Sequence, residues 1–93
     1  MILSFVHPGL KELYCTGQSE LVLLQLHIPC LMRLDVLQAA QRTDDLRMWG
    51  LNFSSIPDRA GYYNTRVDGA WHIVFEFIYG NARRIDLVEY CQP

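Results

Sequence analysis

Apolar residues recur at spacings of three and four in the first half of the chain and at two in the second, changing over at "MWG" (48–50). In "HPGLKELYCTG" (7–17), Leu10, Leu13 and Tyr14 stand at i, i+3 and i+4. Pro8 suits a first helical turn and Gly17 a stop, so a helix is predicted there. Ahead of it "ILSF" is a short β-prone opening. A second helical segment is predicted from about Ser19 to Ala40, with Ser19 as its cap and Leu23, Leu26 and His27 on one stripe. Pro29 has no N–H to give and clashes with the preceding turn, so this segment is expected to kink or break there. From Cys30 the pattern resumes with Leu31, Leu34, Val36, Leu37 and Ala40. Thr43 is placed to cap one further turn.

Beyond the switch, "LNFSSI" reads as a strand, Pro57-Asp58 as a turn, and "GYYNTRV", "AWHIVFEFI" and "ARRIDLVEY" as three more strands. Trp71, Ile73, Phe75 and Phe77 share one face. A three-residue loop, 68–70, with Gly69 at positive φ pairs Val67 with Trp71 and brings Tyr63, Thr65 and Val67 onto that apolar face. The other face then carries Tyr62, Asn64 and Arg66 opposite His72, Val74 and Glu76. Strand alternation puts only one of Arg83 and Arg84 on it. Helices followed by an antiparallel meander predict a single α+β domain over 1–93. A short N-terminal strand and two to three helices would pack on one face of the sheet, leaving the other face polar.

Composition narrows the functional classes. Ninety-three residues, 51% of them hydrophobic, suffice for one core. A net charge of −2 gives no electrostatic signature of a nucleic-acid binder. Cys15, Cys30 and Cys91 are odd in number and lack ligand spacing, which argues against zinc and for free thiols in a reducing compartment. "MILSFVHPGL" has no basic region of a signal peptide, and "LVLLQLHIPCLM" is too short to span a bilayer, so a soluble, cytoplasmic chain is expected.

The ordered segments "SFVHPGLKELYCTG" (4–17), "LDVLQAAQRTDDLR" (34–47), "DRAGYYNTRVDGAWHIVFEF" (58–77) and "RIDLVEY" (84–90) resemble the HigB-type toxins of the RelE superfamily. The resemblance implies a RelE-like fold and a metal-independent endoribonuclease, without cofactor, that cuts mRNA in the ribosomal A site. It implies a HigA-like antitoxin as partner, contact with operator DNA only through that antitoxin, and no membrane. It places candidate catalytic residues at Tyr90, Glu89, Cys91, Ser54, Arg66 and His72, and RNA contacts at Arg66 and Arg84. Tyr90 and Arg66 match the family pattern. Cys91 stands where the family has a terminal histidine, Ser54-Ser55 where it has His-Pro, and His72 where many members have arginine. "SSIPDRAG" also contains no lysine.

Each residue has a plainer reading. Arg66 can clamp phosphate or pair with Glu76 or Asp86. His72 can act on phosphate or face solvent, and Tyr90 can stack on a base or cover the sheet edge. The alternative to an active nuclease is a toxin-fold protein that has lost catalysis and only pairs with an antitoxin.

Overall fold

Capping residues at both ends of "HPGLKELYCTG" make it a helix, and the rest of the fold follows in the predicted order. The structure, a computed structural model, describes residues 1–47 and 50–90. The helices are α1 (Pro8–Thr16), α2 (His27–Ala39) and α3 (Thr43–Arg47). The strands β1 (Phe53–Ser55), β2 (Tyr62–Asp68), β3 (Trp71–Ile78) and β4 (Asn81–Glu89) form one antiparallel sheet in the order β1-β2-β3-β4. At the start of α1, His7 Nδ1 accepts the Leu10 N–H at 3.2 Å. At its end Gly17 takes φ +89 and donates to the Leu13 carbonyl at 2.8 Å.

The segment predicted as one kinked helix from Ser19 to Ala40 is shorter. Residues 19–23 turn, Leu24–Leu26 make a single 3₁₀ turn, and α2 begins at His27. Pro29 therefore lies in the first turn of α2, where its missing N–H leaves no bond unmade. Ser19 Oγ accepts the Leu21 N–H at 3.1 Å within the turn instead of capping a helix. His27 Nε2 bridges the Ser19 and Val22 carbonyls, each at 2.9 Å. Before α3, the Asp45 carboxylate accepts the Gln41 and Arg42 N–H groups at 2.9 and 3.1 Å, which lowers its pKa.

The predicted N-terminal strand is also corrected. "ILSF" makes two isolated parallel bridges to β4, Ile2 to Ala82 and Phe5 to Ile85, and no strand. Between them Arg84 sits at φ +55 and its N–H goes to Ser4 Oγ at 2.9 Å, so the ladder is interrupted.

Leu10 and Leu13 from α1, Leu26, Cys30, Leu34 and Leu37 from the α2 region, and Ile73, Phe75, Phe77, Ile85 and Leu87 from the sheet form the core. Phe75 is its aromatic centre, with ring centroids of Phe53, Tyr63 and Phe77 at 5.8, 6.0 and 6.5 Å. The predicted stripe is only partly core: Leu26 and Leu34 are buried, Leu31 is half-buried and Leu23 is exposed. Leu24, Ile28 and Met32 form an exposed apolar row at i, i+4, i+8.

The β2–β3 pairing keeps Arg66 opposite His72, Asn64 opposite Val74 and Tyr62 opposite Glu76, as predicted. The loop differs. Asp68 pairs with Trp71, which leaves only Gly69 and Ala70 in the turn, and the extra residue is absorbed as a bulge between Arg66 and Asp68. Val67 still packs against the core. A tight turn with Gly69 at φ +57 and the correct facing of the strand are thus satisfied together.

Two stability predictions follow from these contacts. Gly80 has φ +79, and a Cβ there would lie 2.9 Å from the Gln41 carbonyl oxygen, whereas a Cβ on Gly17 at φ +89 would meet nothing within 4 Å. In urea unfolding, Gly17→Ala is expected to cost about 1 kcal/mol, the left-handed penalty alone, and Gly80→Ala clearly more. Burial pushes the Cys30 thiol up to about 11 from an ordinary 9.0. The unfolded chain releases this proton first, so its contribution to stability is complete below about pH 9 and is lost as pH rises through about 11. Unfolding free energy measured across that range should fall less steeply for Cys30→Ala than for the unsubstituted chain.

Candidate active site

Because the helices cover the Ile73–Phe75–Phe77 side, the alternate residues of the sheet form an open face. Rows of paired residues cross it: Arg66, His72 and Val88; Ser54, Asn64, Val74 and Asp86; Tyr62, Glu76 and Arg83. The end nearest the hairpin turn is organised around one carbonyl. Ala70 O accepts the Tyr90 N–H at 2.9 Å and also faces His72 Nδ1 at 2.9 Å. A carbonyl only accepts, so His72 carries its proton on Nδ1, and in the neutral ring Nε2 is left with a free lone pair. The rings of His72 and Tyr90 meet edge to face with centroids 4.6 Å apart.

Arg66 stands directly across from His72, at the cross-strand distance of about 5 Å between Cβ atoms. Its Nε donates to the Gly69 carbonyl at 2.9 Å, and it makes no salt bridge to Glu76 or Asp86. The exposed guanidinium therefore keeps its terminal nitrogens for an anion. Arg66, His72 and Tyr90 are brought together as one cluster.

The other predicted residues lie elsewhere. Ser54 is on the same face one row away, and its Oγ donates to Asn64 Oδ1 at 3.1 Å. Glu89 pairs with Trp71 and so belongs to the opposite side of the sheet from His72 and Tyr90. Cys91 lies outside the described residues. Arg84 is at the far end of the open face, where alternation fails: between the Val74–Asp86 and Glu76–Arg83 pairs, β3 has one residue and β4 has two. This bulge, with Arg84 at φ +55, places both Arg83 and Arg84 in the lining of one pocket with Glu76. The expectation that only one arginine would face that side is corrected.

Against known proteins, no family model matches the chain. Endoribonuclease HigB of Proteus vulgaris is 32% identical over 91 residues, which span 97% of this chain and 99% of the relative. The chain belongs to the HigB toxin family. The likeness carried by the four quoted segments therefore extends over the full length. No helix among the described residues is long and apolar enough to cross a membrane.

One residue of this HigB-family fold escaped the sequence reading. Arg33, on the core side of α2, is 9% exposed. Its Nε donates to the Arg66 carbonyl at 3.0 Å and to Thr65 Oγ1 at 3.3 Å, and Nη1 donates to the Pro29 carbonyl at 2.9 Å. The Thr65 hydroxyl in turn donates to the Leu51 carbonyl. Among the described residues the single salt bridge is Arg83–Glu76, so the Arg33 charge is met by neutral oxygens and its pKa is lowered by burial. The signal was its place between Cys30, Leu34 and Leu37, a charged residue inside an apolar helix stripe. Arg33 pins the backbone of Arg66 from behind the sheet. Arg33→Met should lower the unfolding free energy by about 1.5–3 kcal/mol in urea, the worth of hydrogen bonds to a charged group. A loss under 0.5 kcal/mol, the ordinary range of a surface substitution, would contradict this role.

Proposed function

We propose that this chain is the toxin of a toxin–antitoxin pair and cuts mRNA in the ribosomal A site in the cytoplasm. The observation that carries the reading is the anchoring of His72: Nδ1 is spent on the Ala70 carbonyl, the Tyr90 ring lies 4.6 Å from its own, and Arg66 stands directly across the strand pair. In the proposed reaction His72 Nε2 removes the proton of an RNA 2′-hydroxyl, whose oxygen attacks the adjacent phosphorus. The bond from phosphorus to the 5′-oxygen breaks, and the Tyr90 hydroxyl supplies a proton to that oxygen. Arg66 stabilises the charge that builds on the phosphate oxygens. The products are a 2′,3′-cyclic phosphate and a 5′-hydroxyl. Arg66 at one end of the open face and Arg83 and Arg84 at the other are its cations, alongside Glu76 and Asp86, so phosphate contact in this reading falls mainly to Arg66. A HigA-like antitoxin as inhibitor is supported by family membership, and operator DNA would be reached through it.

A second reading, a family member that retains partner binding without catalysis, is favoured by one feature. The exposed row Leu24, Ile28 and Met32 lies off the open sheet face, so a partner held there does not depend on the chemistry. Induced expression in a host without the antitoxin separates the two. Growth arrest with loss of intact mRNA is expected, relieved by His72→Ala or Tyr90→Ala, since removing a general acid or base costs about 10²–10⁴-fold. Normal growth with the unsubstituted chain present at detectable level would support the second reading.

A further inference from the structure

The far end of the open face holds a second constellation, apart from the Arg66, His72 and Tyr90 cluster. A cavity of about 350 Å³ is lined by Ser4, Tyr62, Glu76, Arg83 and Arg84. The β4 bulge creates it by turning two consecutive arginines to one place. Arg83 gives both Nε and Nη2 to the same oxygen, Glu76 Oε1, at 3.0 and 2.7 Å. No donor among the described residues reaches Oε2, so this carboxylate is held in place with one oxygen open. Tyr62 stands directly across from Glu76, and Arg59 lies over its ring at 3.9 Å from the centroid.

A site for phosphate alone needs only the arginines, and a carboxylate inside it would repel the ligand. A fixed carboxylate oxygen, an aromatic ring and guanidinium groups together suit a nucleotide: hydrogen-bond acceptance from a base edge, stacking, and contact with phosphate. We propose that this pocket reads a nucleobase, with Glu76 Oε2 accepting from the exocyclic amino group of adenine, cytosine or guanine and Arg84 holding the phosphate. Uracil has no amino group, and the carbonyls flanking its N3–H would oppose the carboxylate. Glu76 is four residues from His72 along β3, roughly 13 Å at strand rise, so the base read belongs to the same short stretch of RNA as the nucleotide that is cut. The inference deepens the RNA reading above and rests on it for the identity of the ligand.

The test is titration of the ¹⁵N-labelled full chain with AMP, CMP, GMP, UMP and inorganic phosphate, following the amides of Tyr62, Glu76 and Arg83. The three amino-bearing nucleotides should bind roughly tenfold or more tightly than UMP, the worth of one charge-assisted hydrogen bond. Glu76→Gln, a change that keeps the side chain's size and can still accept from Arg83, should erase that discrimination while the dispersed spectrum of the folded chain persists. Equal response to all four nucleotides, the same response to phosphate alone, or no shift of these amides would overturn the proposal. The readout does not require cleavage. A chain that discriminates bases but leaves mRNA intact would overturn the nuclease reading only, and one that cuts but does not discriminate would overturn this one only.

Discussion

The alternation of β3 is the constraint from which both the core and the site are built. Ile73, Phe75 and Phe77 are buried against α1 and α2, so His72, Val74 and Glu76 must face the other way. Shifting this strand by one residue would expose three large apolar side chains, at about 1.5–3 kcal/mol each, and bury a histidine and a glutamate. The position of the candidate site residues is therefore fixed by the hydrophobic core and not by interactions among those residues themselves.

Regular pairing alone would not produce either cluster. At one end the bulge between Arg66 and Asp68 lets a two-residue turn coexist with the Arg66–His72 pairing, and the Ala70 carbonyl at that turn anchors both the His72 ring and the backbone of Tyr90. At the other end the β4 bulge gathers Arg83 and Arg84 beside Glu76. Bulges re-aim side chains without breaking the sheet, and here each one serves a different end of the open face. Arg33 supports the first end from within the core, where its charge is carried by backbone and hydroxyl oxygens.

Much of this was legible in the sequence because apolar periodicity is a strong signal. The switch from near four to two gave α1, the four strands and the facing of Tyr62, Asn64 and Arg66 against His72, Val74 and Glu76. Irregular backbone was not legible. Pro29 signalled a break, but whether it interrupts a helix or begins one depends on how residues 19–26 fold. The Ser4 hydroxyl that captures the Arg84 N–H lies 80 residues away in sequence, so neither the loss of the N-terminal strand nor the β4 bulge has a local signature. Of the candidate residues, the family likeness named Arg66 and Tyr90, and alternation put His72 on the same face as Arg66, where the structure also has it. The separation of Glu89 from them emerged only from its register with Trp71.

The central claim is that the reduced cluster of Arg66, His72 and Tyr90 still performs attack by a 2′-hydroxyl on the neighbouring phosphate. The most direct measurement is to add the purified chain to programmed 70S ribosomes carrying a defined mRNA and to determine both the position and the end chemistry of new fragments. Breaks confined to the A-site codon, with 2′,3′-cyclic phosphate on one side and 5′-hydroxyl on the other, are predicted. An intact message, under conditions where a related toxin cuts, would contradict the account.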